Sequence, residues 1–268
     1  MVVRGMTELY TEMQYPHWCV NPYALCDFRC VYCCTNAQGK STPLMSAADA
    51  VEETRRRLRE IPEPRYFILG GFSDAYPPVE TEFCITRAIV EELVRAGQRF
   101  GIVTKGDLVL RDLDLLMAHG DRAWVQVSIC SVDDSVLRKL DPGAPSGTAR
   151  FAVIRELHRE GVRVGLNVLP WIPDVTATEA LIARVPADVE IVLGPLSFGD
   201  GKDSRRLMGR LFTADEVTHR YMQEYRRLGH YPNTSWIRPA PAGTNNNARH
   251  RLPRLPTPEA AKRAGVPG

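Results

Sequence analysis

Two hydrophobic rhythms alternate along the chain. Short, nearly continuous apolar runs read as buried strands, and between them apolar residues recur at three- and four-residue spacing, as on one face of a helix. The strand-like runs are His17 to Tyr23, Tyr66 to Leu69, Phe100 to Thr104, Trp124 to Cys130, Val162 to Leu169 and Val189 to Leu193. Ser46 is placed to cap a helix through Val51, Leu58 and Ile61. A long helix follows with Phe83, Ile85, Ile89, Val90, Leu93 and Val94, stopped by Gly97, and this face also takes Cys84 into the core. Leu110, Leu113, Leu115 and Leu116 predict another helix, and Ser146 opens one through Phe151, Val153, Ile154 and Leu157. Thr176-Ala177-Thr178-Glu179 and Thr213-Ala214-Asp215-Glu216 are capping-box patterns that predict two more.

Strands alternating with helices imply a mostly parallel sheet with crossover helices, an α/β fold. Six β/α units can be counted. They are too few and too short for an eight-unit barrel, which takes ~250 residues. A partial (β/α)6 barrel fits the count, and an open doubly wound sheet has the same order of elements. After about Gly229 the composition changes. Pro232, Pro239, Pro241, the run Asn245-Asn246-Asn247, and Arg249, Arg251 and Arg254 read as an irregular tail. The expected organisation is therefore one domain over 1–228 and a Pro/Asn/Arg-rich extension over 229–268.

Composition narrows the class. With 268 residues and 44% hydrophobic content the chain can bury a sizeable core, and a formal net charge of +2 is too mild to argue for nucleic acid. No apolar run is long enough to span a bilayer, and Met-Val-Val-Arg at the start is not followed by the apolar segment of a signal peptide. Seven cysteines, an odd number, do not suit a disulfide framework. A cytoplasmic protein with no membrane partner is expected.

Three of those cysteines form Cys26-Asp27-Phe28-Arg29-Cys30-Val31-Tyr32-Cys33, a C-x₃-C-x₂-C spacing. Three thiolates in one loop can hold three corners of a [4Fe–4S] cube and leave the fourth iron open to a small molecule. A structural zinc ion with a fourth ligand from Cys34, Cys19 or His17 is the competing reading. Zinc sites usually bring a second ligand pair, which is missing downstream. An electron-transfer centre would have all its irons ligated by protein. In parallel β/α folds the strand C-termini build the active site. The cysteine loop follows the first run, and Gly70-Gly71-Phe72-Ser73-Asp74 and Lys105 follow the next two.

The cysteine spacing, with the aromatic Tyr32 before the last cysteine, resembles the radical S-adenosylmethionine (SAM) superfamily. The stretch from Phe67 to Pro78, Ile102 to Lys105, Leu110 to Leu116, Asp141-Pro142-Gly143-Ala144-Pro145-Ser146 and Val168 to Asp174 are similar more narrowly to spore photoproduct lyase-like members. The resemblance covers roughly residues 20 to 195. It implies a partial (β/α)6 TIM-like barrel of the radical SAM type, with Cys26, Cys30 and Cys33 on a [4Fe–4S] cluster. It also implies that Gly70 and Gly71 lie in the loop that grips the SAM amine, and that Ser73 and Lys105 contact the SAM carboxylate. A lysine at a strand end has its own reason for a carboxylate partner, because an unpaired buried cation is costly. Ser128 is a candidate for SAM polar groups and Asn167 for ribose or adenine, each with an internal hydrogen bond as the alternative.

Gln126, Ser128 and Cys130 share strand parity, so a pocket-facing Ser128 brings Cys130 with it if the strand stays regular. Cys130 or Cys34 is then a candidate hydrogen donor, against a small buried hydrophobe as the alternative. Spore lyases carry a cysteine donor where this chain has Gly71, and a tyrosine where it has Cys34. The implied activity is reductive cleavage of SAM to a 5′-deoxyadenosyl radical that abstracts hydrogen from a small-molecule, biosynthetic substrate. An external electron donor of the flavodoxin or ferredoxin type would serve it. The alternative is nucleic-acid repair or modification of the spore photoproduct lyase type.

Overall fold

The structure, a computed structural model, describes residues 7–13, 16–33, 35, 37–196, 209 and 211–239. Cys34 and the Asn- and Arg-rich stretch beyond residue 239 lie outside these residues. Eight strands form one sheet in chain order: β1 (Tyr10–Glu12), β2 (His17–Val20), β3 (Tyr66–Leu69), β4 (Phe100–Thr104), β5 (Ala123–Ser128), β6 (Val164–Trp171), β7 (Glu190–Pro195) and β8 (Thr234–Trp236). β1 runs antiparallel to β2, and every later pairing is parallel. The sheet stays open, with β1 and β8 as its edges, so the expected partial barrel is the architecture.

Helices lie between the strands: α1 (Ala47–Glu60), α2 (Glu80–Phe83), α3 (Ile85–Arg95), α4 (Leu113–His119), α5 (Asp134–Leu140), α6 (Gly147–Arg159), α7 (Thr178–Ile182) and α8 (Ala214–Leu228). Parallel register explains which side they cover. Leu69, Ile102 and Val125 sit side by side across three strands, as do Val127, Leu166 and Ile191, and all six are fully buried. On the opposite face Ile68, Val103, Trp124 and Gln126 are only half-buried. One face is thus the helix-covered core and the other is the concave lumen. Among the described residues no helix is long and apolar enough to cross a membrane.

Four local differences from the sequence reading have physical causes. The helix expected through Phe83 and Ile85 breaks at Cys84, which takes a left-handed conformation (φ 50°). The buried Glu80 carboxylate accepts from the Thr86 and Arg87 backbone N–H groups and caps α3 itself. Cys84 is therefore a half-buried hinge residue, within reach of Arg111 Nη1 at 3.8 Å, and not a core residue on a helix face.

Ser46, Ser146 and Thr213 cap α1, α6 and α8 as expected, but Thr176 does not cap α7. Its hydroxyl donates to the Cys130 carbonyl and accepts from Ile172 N–H, tying two loops together. β5 ends at Ser128, two residues early, because the chain turns there toward α5, a helix the hydrophobic pattern did not predict.

The sheet also runs past residue 228. β8 pairs Thr234 with Ile191 and Trp236 with Leu193. Trp236 packs on Tyr221 and Tyr225 of α8, and the Tyr221 hydroxyl donates to the Leu193 carbonyl and accepts from Ile237 N–H. Between Pro232 and Pro239 this segment is too short to show a strand rhythm.

Candidate radical SAM site

The cysteine loop leaves the C-terminal end of β2 and has little regular structure of its own. Cys26 N–H donates to the Ala37 carbonyl, Gly39 N–H to the Cys26 carbonyl, and Cys33 N–H to the Cys30 carbonyl. Gln38 Nε2 donates to the Cys30 carbonyl at 2.6 Å. Arg29 takes a left-handed conformation (φ 49°), exposed on this loop.

Cys26, Cys30 and Cys33 all line one cavity of ≈ 100 Å³ at the strand C-termini. The six described cysteines outside the masked position are all free thiols. Burial pushes the Cys26 thiol up to about 12 and the Cys30 thiol up to about 11, so a metal centre must displace their protons on binding. Among the described residues no three His, Cys, Asp or Glu side chains converge on the spacing of a single ion. That spacing is what a mononuclear zinc site requires, whereas a cube takes one thiolate per iron.

The opposite wall is built by the loop after β3 and the ends of β4 and β5. Gly70, Ser73, Lys105 and Ser128 reach the cavity. Gly70 has φ 85°, and a Cβ there would collide with the Val103 carbonyl oxygen, so β3 and β4 can close up at this point only with glycine. Ser73 Oγ donates to the Tyr23 carbonyl at 2.5 Å, which leaves its lone pairs toward the cavity. Lys105 Nζ stands 5.5 Å from the Tyr32 ring centroid. Burial works against its charge, but Cys30 once it is a thiolate, and the Asp141 and Asp74 carboxylates, outweigh it and raise its pKa.

Sequence reasoning missed Asp74. Its Oδ1 accepts from Thr104 Oγ1 at 2.6 Å and Tyr76 N–H at 2.9 Å, and its Oδ2 accepts from Lys105 N–H at 2.8 Å. Burial raises its pKa, and these hydrogen bonds oppose the rise. The bond to the backbone two residues on is an Asx-turn. Asp two places before Tyr76 was the available signal. Asp74 thereby fixes the β3 loop to the end of β4 and aims Lys105.

Asn167 of β6 sits beside Ser128 in register and donates from Nδ2 to Ser128 Oγ at 2.9 Å. Its Oδ1 is buried with no hydrogen-bond partner among the described residues. A buried acceptor left alone is uncommon and points to a donor brought by a ligand. Three expected residues are not on the wall: Asn167, which meets it only through Ser128, and Gly71 and Cys130. Gly71 is solvent-exposed and off the wall, and a side chain there would collide with Cys19 Sγ. Cys130 is buried behind Tyr32, its Sγ 3.9 Å from the Tyr32 hydroxyl, because strand alternation stops at Ser128. Cys34 lies outside the described residues.

This donor set fits a [4Fe–4S] cluster with SAM beside it. Three thiols share one wall, a cation and a serine face them, and an unpaired amide oxygen waits nearby. The comparisons agree. An uncharacterized protein of Methanocaldococcus jannaschii is 26% identical over 178 residues, 65% of this chain and 68% of that protein. Other curated relatives are matched over about half of their length or less; a Mycobacterium tuberculosis protein, for example, is 26% identical over 59% of this chain and 50% of its own.

Among solved structures, a double mutant of spore photoproduct lyase with bound AdoMet and dinucleoside spore photoproduct aligns with a TM-score of 0.61 at 16% identity, over 87% of this chain and 79% of that one. Streptococcus suis SuiB bound to S-adenosylmethionine aligns at 0.55 and 14% identity, over 88% and 62%. These likenesses show the fold. The sequence pattern of the Radical SAM superfamily runs over residues 20–183, from the end of β2 past α7, and with the cavity of three cysteines inside that span the chain belongs to the radical SAM superfamily, enzymes that work with a [4Fe–4S] cluster and SAM.

Proposed function

We propose that this radical SAM enzyme acts on a small-molecule substrate in a biosynthetic reaction, in the cytoplasm. When bound, the cluster and SAM supply a 5′-deoxyadenosyl radical able to abstract hydrogen from an unactivated carbon. The chain's own residues position and shield. Cys26, Cys30 and Cys33 hold the cluster, and Lys105, charged and aimed by Asp74, pairs with the SAM carboxylate. Ser73, expected on the SAM carboxylate, has its proton spent on Tyr23 and accepts instead from the SAM amine, with help from Gly70 and the loop through Gly71. Asn167 Oδ1 takes a ribose or adenine donor, and Ser128 holds the Asn167 amide in place. The observation that carries the reading is the meeting of three thiols and Lys105 on one narrow cavity.

A small substrate is favoured because many surface arginines are already spent on carboxylates. Arg55, Arg56, Arg87, Arg159, Arg220 and Arg227 all stand in ion pairs, which leaves them poorly suited to a phosphate backbone. Exposed Arg29 beside the cavity suits an acidic electron donor of the flavodoxin or ferredoxin type.

The test is anaerobic reconstitution and reduction with SAM, scoring 5′-deoxyadenosine with candidate metabolites, with a dinucleotide and with duplex DNA. Metabolite-dependent product with deuterium transfer supports the reading. Stimulation by the nucleic acids alone would move the protein to repair or modification of the spore photoproduct lyase type.

A further inference from the structure

The cysteine loop has few internal hydrogen bonds, yet its three thiols must meet one cube. Something outside the loop has to hold its shape. The segment Asp141-Pro142-Gly143-Ala144-Pro145-Ser146, which the SAM contacts do not use, is packed directly on it. Val31 N–H donates to the Leu140 carbonyl at 2.9 Å, and Gly143 N–H donates to the Phe28 carbonyl at 3.2 Å. A Cβ on Gly143 would collide with the Asp27 carbonyl oxygen, so the two backbones touch with no room for a side chain. The residues involved, Phe28 and Val31 through hydrogen bonds and Asp27 through close approach, are spacers between the cluster cysteines.

One side-chain bond joins the same two segments. Tyr32, between Cys30 and Cys33, donates from its hydroxyl to Asp141 Oδ1 at 2.5 Å. Asp141 Oδ2 accepts from Arg150 Nη1 at 2.6 Å. Arg150 is itself immobilised, donating to the Ser128 carbonyl at 3.1 Å and the Pro145 carbonyl at 2.7 Å. The Arg150 and Asp141 side chains are 1% and 0% exposed, so the carboxylate has a fixed direction and no solvent to turn to. Above the Tyr32 ring stands Lys105. The path Arg150, Asp141, Tyr32 thus ties the sheet and α6 to the cluster loop and ends under the SAM-facing cation.

We infer that residues 140–146 are the seat of the cysteine loop and that Asp141 is its positioning residue, acting on the cluster and on Lys105 through the Tyr32 hydroxyl. The inference rests on the assignment of the cluster to Cys26, Cys30 and Cys33. Asp141 touches neither cluster nor SAM.

The test uses Tyr32→Phe, which keeps the Asp141–Arg150 pair and the fold but removes the tie, with Asp141→Asn beside it. Hydrogen exchange of residues 26–33 is measured in the metal-free chain. The EPR spectrum of the reduced cluster and the SAM dissociation constant are measured after reconstitution. Expected are amide exchange rates and a SAM dissociation constant raised about tenfold in Tyr32→Phe, an altered EPR signal, and a melting temperature only a few degrees lower, because Asp141 Oδ1 loses its donor while the Arg150 pair is kept. Wild-type exchange over 26–33, or a wild-type EPR signal with wild-type SAM affinity, in Tyr32→Phe overturns the inference. Tyr32→Phe decides the matter even if Asp141→Asn does not fold, because the latter strands the buried Arg150 charge. Exchange in the metal-free chain is independent of SAM chemistry, so a failure of the functional reading leaves it interpretable.

Discussion

Asn167 donates an amide N–H to Ser128 Oγ at 2.9 Å and keeps a buried carbonyl oxygen that nothing among the described residues satisfies. Among the described residues it is the one buried side-chain polar atom without a partner, which is where the donor of the proposed ligand would bind. Asn167→Leu is expected to cost only about 1 kcal/mol of stability, because it removes the bond to Ser128 Oγ but also the unpaired acceptor, and to weaken SAM binding about tenfold. Thermal unfolding and calorimetric titration with SAM check this. A large stability loss with unchanged affinity would assign Asn167 to the core instead.

Lys105 is a cation facing the thiols, and its charge is maintained against burial by the Asp141 and Asp74 carboxylates, and by Cys30 once that thiol has lost its proton. Lys105→Met is expected to weaken SAM binding by about 10- to 100-fold, the scale of one charge-assisted hydrogen bond in a dry site. The iron and sulfide content should stay at the wild-type level. Equal SAM affinity in this variant would remove Lys105 from the site.

Asp74→Asn replaces an acceptor of three hydrogen bonds by a group that can accept on one atom only. Its new NH₂ must face either Lys105 N–H or the Thr104–Tyr76 pair of donors. We expect a loss of about 1–3 kcal/mol in stability, read by urea unfolding, and a raised KM for SAM. A variant with wild-type values of both would show that Asp74 does not aim Lys105.

Cys19 is fully buried, donates to Asn21 Oδ1 at 3.3 Å, and burial pushes its thiol up to about 12. Below pH ~9 the thiol is neutral in both the folded and the unfolded chain. Between about 9 and 12 the unfolded thiol loses its proton while the folded one keeps it. The folded state then binds more protons, and stability falls as pH rises, by up to about 1.4 kcal/mol per pH unit. Cys19→Ala should show a shallower decline between pH 9 and 11 in urea unfolding of the metal-free chain. Parallel curves for the two proteins would contradict this.

Cys130 sits behind Tyr32, away from the cavity wall. Cys130→Ala is accordingly expected to keep substrate turnover and product distribution within about twofold of wild type, while costing about 1 kcal/mol of stability for the lost sulfur contacts. A changed product distribution would make Cys130 a hydrogen donor after all.

The sequence by itself determined the local chemistry and the order of elements. Three thiols within an eight-residue segment, Ser146 and Thr213 at helix starts, and apolar runs such as Tyr66–Leu69 carry their meaning within a few neighbours, because ligand spacing, capping and hydrophobic period are short-range properties. Tertiary structure alone decided which groups share the cavity. Cys130 was expected there by parity and was lost when β5 stopped at Ser128, while Asp74 entered because β3 and β4 end side by side. The three-residue β8 exists only because β7 offers it an edge and α8 covers Trp236. The seat of the cysteine loop joins Tyr32 to Asp141, 109 positions apart, and such a contact leaves no period in the sequence because it arises when crossover connections bring distant loops to one rim of the sheet.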